Sequence, residues 1–177
     1  MIKTFKTKFK DLKIFKRKKN IDKRGHLIEI LQEKKIGKKF RFQILSKSKK
    51  NVLRGLHFQL KKPQAKYISV LKGKILDIAV DLRKKSKTFG KVFSVILTDK
   101  NCKSIFIPAG FAHGFLTLEN ENIVHYCCTE YRSVGKEFSL SYKDPNLKIK
   151  LPKLRLIISK KDKNAKNLNE FIKEKII

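Results

Sequence analysis

Residues 54–82 read RGLHFQLKKPQAKYISVLKGKILDIAVDL, and two β-rich runs in this stretch decide the fold. Lys66–Leu71 and Ile75–Leu82 are dense in Ile, Val, Leu and Tyr, with Lys72-Gly73-Lys74 between them as a glycine turn. Working outward, further short strands are expected at Lys91–Thr98, Ser104–Ile107, Phe115–Leu118 and Ile123–Glu130. Turn signals at 99–101, 108–110 and 119–122 separate them. Toward the N-terminus, Arg24–Leu31 and Lys39–Leu45 read as two more strands. Helical periodicity is weak until Asn167–Ile177, which predicts a short C-terminal helix capped by an Asn. Many short strands at regular spacing predict an all-β sandwich or barrel. No internal repeat and no Pro/Gly/Ser linker divides the chain, so residues 1–177 are read as one domain.

Composition narrows the function. The 177 residues carry a formal net charge of +30, a value that raises nucleic acid or an anionic membrane as partners. The basic residues are 38 Lys against 7 Arg, a poor ratio for reading phosphate forks and base edges. The abundance of Lys, Ile, Asn and Phe, all with A/T-rich codons, points to base composition as the source of the excess. No specific nucleic-acid partner is therefore expected. No apolar run approaches the roughly 20 residues that span a bilayer, and no membrane role is expected. The N-terminus alternates Lys with Phe and Ile, without the uninterrupted apolar core of a secretory leader. Cys102, Cys127 and Cys128 fit neither paired bridges nor a zinc spacing; they read as buried strand fillers in a cytoplasmic protein. Adjacent Cys127 and Cys128 would face opposite sides of a strand.

Two segments place polar groups inside strand-like sequence. In NVLRGLHFQ (51–59), His57 and Gln59 share a face, with Gly55 beside them. In IPAGFAHGF (107–115), a turn delivers His113 onto the next strand. His26 and His125 have no partner in the sequence and read as structural.

Together these segments resemble the two motifs of the cupin superfamily, whose fold is a double-stranded β-helix, or jelly-roll barrel. The second motif, P-x-G-x-x-H, is intact as Pro108, Gly110 and His113. In the first, usually H-x-H followed by Glu and Gly, the positions are His57, Gln59, Lys66 and Gly73. A protonated Lys offers only donors, so the resemblance implies a site without metal and with an ammonium beside a His. At closer range RGLHFQ (54–59), QAK (64–66), DIAVDLRKKSKTFG (77–90), IPAGFAHGF (107–115), Tyr126 to Tyr131, DP (144–145) and SKKD (159–162) occur in order. In that order they resemble the dTDP-4-dehydrorhamnose 3,5-epimerase family over residues 20–165.

That resemblance implies a cofactor-independent epimerase acting on a nucleotide-linked 4-keto-6-deoxy sugar, with dTDP the expected nucleotide. His57 would match the base and Asp162 its carboxylate partner, while Tyr126 would be the acid on the opposite face of the sugar. Lys66 would steady the enolate oxygen. Arg24, Glu29, Arg54, Gln59, His113, Glu137 and Lys161 would match substrate contacts. The region 1–45, with Arg24 and Glu29, would reach into the neighbouring subunit of a homodimer.

Three features depart from the family pattern. Arg132 stands where a Tyr would stack on the thymine, and a guanidinium can stack in its place. The loop between Gln59 and Lys66 is one residue shorter. A polar Q-x-N segment appears as Phe42-Gln43-Ile44-Leu45, in shortened form. Other readings stay open: epimerisation at C3 alone, another nucleotide, a metal-binding cupin, or a non-catalytic basic protein that binds nucleic acid.

Overall fold

Glycine and proline punctuation divides the chain into short strands, and the computed structural model describes residues 2–177. The N-terminal part holds β1 (Lys3–Lys6), β2 (Lys13–Lys16), β3 (Lys19–Asp22), β4 (Gly25–Ile28) and a single helical turn, α1 (Glu33–Ile36). The middle holds β5 (Phe42–Ser48), β6 (Val52–Gln59), β7 (Lys66–Lys72), β8 (Lys74–Asp81), β9 (Val92–Thr98), β10 (Lys103–Ile107), β11 (Phe111–Thr117) and β12 (Asn122–Cys128). The remainder holds β13 (Glu137–Ser139), β14 (Ile157–Ile158), α2 (Lys160–Lys163) and α3 (Leu168–Lys173).

Two sheets form, one in the order β1-β2-β10-β7-β12-β5, the other β13-β6-β11-β8-β9 with β14 beside β6. They pack face to face: Ile68, Val70 and Ile105 of the first meet Ile75, Ala79 and Phe115 of the second in one cluster. The jelly-roll class expected from the motifs is thus found, as two separate hydrogen-bonded layers rather than one closed barrel.

Each sheet is also covered on its outer face. Leu31, Ile36 and Phe40 pack over Tyr67 and Phe106 of the first, while Leu168, Phe171 and Ile177 cover Leu56, Phe58 and Val80 of the second. Burial on both faces explains why β7 and β8 are near-continuous apolar runs and not a clean alternation. Cys127 packs under the outer cover and Cys128 faces inward, the opposite orientations expected of neighbours on a strand.

Several elements differ from expectation for identifiable reasons. The strand after the 108–110 turn begins at once, at Phe111, so His113 lies within it rather than at its start. The run at 24–31 shrinks to β4, which pairs only with β3 in a separate two-stranded ribbon. Strands β1 and β2 are absent from the sequence reading because Lys breaks their apolar alternation; β1 is an exposed edge strand. Single turns such as α1 and α2 are too short to show a period. Helix α3 begins as expected, with Asn167 and Glu170 forming a capping box.

The stretch 81–90 has a structural task. The Asp81 carboxylate accepts from Arg83, Ser86 and Thr88, which knots the loop leaving β8. Burial opposes its charge, yet those donors hold its pKa at about 2.

Candidate active site

At one end of the inter-sheet space the apolar core gives way to a cavity of about 680 Å³. Its floor on the second sheet is β6 beside β11, where His57 and His113 are register partners. Two glycines make that approach possible. A Cβ on Gly55 would lie 2.7 Å from the Gly114 Cα and from the His113 carbonyl, and Gly55 has φ +109. A Cβ on Gly114 would lie 2.5 Å from the Arg54 carbonyl, and the register shifts at this point.

Helix α2 brings in the carboxylate. Ser159 caps it by accepting from the Asp162 N–H, and Asp162 is thereby presented to His57 with Oδ1 2.7 Å from Nε2. Ser139 Oγ donates to the same oxygen at 3.1 Å, and the Gly55 N–H donates to Oδ2 at 3.3 Å. Burial alone would raise the Asp162 pKa; bonds from His57, Gly55 and Ser159 outweigh it and hold the group at about 2. An ionised Asp162 fixes the proton of neutral His57 on Nε2 and leaves Nδ1 as the basic nitrogen.

The opposite wall is the first sheet. Lys66 and Tyr126, on β7 and β12, line the same cavity, with Cys128 as the register partner of Lys66. Burial pushes the Lys66 ammonium below its ordinary value, partly offset by Cys128, Glu137 and Asp77. Burial pushes the Tyr126 phenol above its ordinary value, so it remains a proton donor through the neutral range.

The other expected residues divide into two groups. Arg54, Arg132, Glu137 and Lys161 line the cavity. Arg132 grips Glu137 through two bonds, Nε at 2.8 Å and Nη2 at 2.7 Å, which holds the Glu137 carboxyl below the usual range. Gln59 also lines the cavity, but its amide is taken up by the loops, donating to Lys62 and Tyr131 carbonyls and accepting from the Ser133 N–H. Arg24 and Glu29 lie outside it, at the ribbon of β3 and β4, where Arg24 pairs with Asp22 and Glu29 accepts from Gln32. His26 is exposed on that ribbon, and His125 bonds Gln43 away from the cavity.

Sequence reasoning missed Asp77. Its Oδ2 lies 2.9 Å from His113 Nε2, and both residues are buried, so the floor carries a second His–Asp pair. The signal was an acid alone inside the apolar run 75–80. Residues 42–45, which fall in the expected strand 39–45 and hold the place of the family's polar segment, begin the pairing of β5 with β12 and turn Phe42 and Ile44 to the cavity. Among the described residues, no three His, Cys, Asp or Glu side chains form a group that could hold a metal ion.

An imidazole held by a carboxylate faces a protonated phenol across a cavity lined with cations, an arrangement suited to moving a proton from one face of a carbon to the other. Comparison with known proteins agrees with that chemistry. The family model for dTDP-4-dehydrorhamnose 3,5-epimerase matches residues 6–170. The chain belongs to this family. Among its members, the dTDP-4-dehydrorhamnose 3,5-epimerase of Methanothermobacter thermautotrophicus is 45% identical over 157 residues, 84% of this chain and 85% of that protein. The crystal structure of the Legionella pneumophila 3,5-epimerase in complex with dTDP-4-keto-L-rhamnose is similar at TM-score 0.92 and 40% identity, over 96% of this chain and 94% of that one. That of the Bacillus anthracis 3,5-epimerase with TDP and PPi bound is similar at TM-score 0.91 and 35% identity, over 95% of this chain and 100% of that one.

Proposed function

We propose that this chain is a 3,5-epimerase of dTDP-4-dehydro-6-deoxyglucose, working by proton removal and return next to the C4 ketone. The observation that carries the reading is the placement of the His57–Asp162 pair and Tyr126 on facing sheets of one cavity, with Lys66 on the Tyr126 wall. His57 Nδ1 takes the α-proton and the C–H electron pair moves into the ketone, giving an enolate. Lys66, cationic and largely desolvated, stabilises the enolate oxygen. Tyr126 then donates its proton to the opposite face, the C–H bond reforms with inverted configuration, and solvent returns both groups to their starting states. Buried His113, fixed by Asp77, contacts the sugar from the floor.

Substrate binding follows the charges. Arg54, Arg132 and Lys161 suit a pyrophosphate, and Glu137 suits a sugar hydroxyl. Gln59, whose amide ties two loops together, acts by holding the rim in place.

The whole chain serves as one catalytic domain, and its working form is a cytoplasmic homodimer. The support for the dimer is the β3–β4 ribbon, a pair of four-residue strands with Ile21 75% and Leu27 64% exposed. An isolated two-stranded hairpin with exposed apolar side chains along its strands gains stability against a second surface. Docked on a partner copy, it would bring Arg24 and Glu29 to the partner's cavity.

The test is incubation with dTDP-4-keto-6-deoxyglucose in D2O, read by NMR. Deuterium should enter at C3 and C5 with inversion at both. Exchange at C3 alone would identify a 3-epimerase, and exchange at neither would end the proposal. UDP, GDP and CDP analogues run in parallel fix the nucleotide.

A further inference from the structure

Gln59 ends β6 at the wall of the cavity and is buried, but its amide is already committed. Nε2 donates to the Lys62 carbonyl at 2.7 Å and the Tyr131 carbonyl at 3.1 Å, and Oε1 accepts from the Ser133 N–H at 3.0 Å. Both amide hydrogens are therefore used. Turned the other way, the amide would set its oxygen against two carbonyls and its NH2 against an N–H, so the network fixes its orientation.

Two of the three partners single out one residue. The Tyr131 carbonyl and the Ser133 N–H are the backbone groups on either side of Arg132. Arg132 lines the cavity, with its guanidinium on both oxygens of Glu137. Gln59 holds the other half of that ion pair as well, because Glu137 is its register partner where β13 joins β6. The side chain of Gln59 thus fixes the backbone under Arg132, and its strand position fixes Glu137. The loop between the two has weaker ties. Val134 is 96% exposed, Ser133 Oγ reaches the Lys61 carbonyl at 3.2 Å, and the Leu60 N–H reaches the Lys136 carbonyl at 3.5 Å. An Arg on a loose loop would lose its freedom only when a ligand bound, at a cost in affinity; one set in advance does not.

We infer that Gln59 is a positioning residue for substrate binding, whose amide brackets Arg132 and sets the Arg132–Glu137 pair in the cavity wall before a ligand arrives. The inference rests on the nucleotide-sugar reading above, in which Arg132 meets the pyrophosphate, and it makes Gln59 act through Arg132 rather than on the substrate. Its signature is loss of affinity without loss of chemistry, since all three bonds of the amide go to loop backbone.

The experiment combines calorimetric titration of the full-length protein with dTDP and steady-state kinetics on dTDP-4-keto-6-deoxyglucose. Gln59→Met keeps the shape of the side chain and removes all three bonds. It should weaken dTDP and raise KM about tenfold, with kcat within about threefold of wild type. In an Arg132→Ala background the same change should cost less than about twofold, because the residue it acts through is gone. In the free protein, hydrogen exchange at the Ser133 amide should quicken about tenfold or more in Gln59→Met while the amides of β7 and β8 stay protected. Gln59→Asn, one methylene too short to bracket Arg132, should match Gln59→Met and decides the matter if that variant does not fold. Affinity for dTDP within about twofold of wild type in a folded variant, or an undiminished loss without Arg132, would overturn the assignment. Either result beside normal deuterium exchange by wild type leaves the epimerase reading standing. Wild-type protein that neither exchanges nor binds dTDP removes that reading and the role of Gln59 with it.

Discussion

Asn at position 162 is the most informative single change, because Asp162 uses both oxygens as acceptors. Oδ1 takes bonds from His57 Nε2 at 2.7 Å and Ser139 Oγ at 3.1 Å, and Oδ2 takes the Gly55 N–H at 3.3 Å. An amide has one oxygen, so Asp162→Asn cannot satisfy both sides. If its oxygen faces His57, its NH2 opposes the Gly55 N–H, donor against donor. If it faces Gly55, the NH2 donates to His57 Nε2, the ring proton moves to Nδ1, and the basic nitrogen is lost. The first arrangement loses charge assistance worth about 1.5–3 kcal/mol, and the second removes the base itself. A fall of about 10²–10⁴-fold in deuterium entry next to the ketone is expected. The same variant has a pH signature in stability. The Asp162 pKa falls from 3.8 to about 2 on folding, a contribution of roughly 2 kcal/mol that is complete above the unfolded value and lost as pH drops through the folded one. Denaturant unfolding between pH 7 and pH 2.5 should therefore show a shallower acid loss in Asp162→Asn than in wild type. Deuterium entry within about threefold of wild type in a folded Asp162→Asn protein would refute the role given to the pair.

Other changes probe the remaining parts. Tyr126→Phe should cut inverted product by about 10²–10⁴-fold in NMR assays while exchange through His57 falls far less, because only the returning proton is lost. Burial lowers the Lys66 pKa, so activity should decline as pH rises through that lowered value; Lys66→Arg, which stays charged, should move the basic limb of a kcat/KM profile upward. Gly55→Ala places a Cβ 2.7 Å from the facing backbone at φ +109 and should cost about 2–4 kcal/mol in denaturant unfolding. Mixing inactive His57→Ala protein with inactive Arg24→Ala protein should restore part of the activity if Arg24 serves the partner's cavity, and sedimentation should report the dimer.

Much of the site was legible because its residues sit in short, strongly punctuated motifs. RGLHFQ contains His57 together with the glycine that lets β6 approach β11, and IPAGFAHGF supplies a turn directly followed by His113. Asp162 was legible only through SKKD, since a carboxylate among lysines is otherwise an ordinary surface group; Ser159 as the cap of α2 is what turns it inward. Asp77 was passed over, although an acid inside an apolar strand is costly unless paired. Phe42 read as part of the strand at 39–45, and nothing local marks that its ring faces a cavity.

The sequence by itself determined the all-β class, the glycine turns, the capped C-terminal helix and, within a recognised strand, which residues share a side. These are local properties, set by side-chain alternation and by backbone conformations that only certain residues adopt. Tertiary structure alone decided what meets across the inter-sheet gap: His57 on one layer with Lys66 and Tyr126 on the other, Asp162 arriving from about a hundred residues downstream, and Phe42 against Tyr131. Such contacts depend on how two sheets stack and which end of the space between them stays unfilled, and no short-range pattern along a chain encodes that.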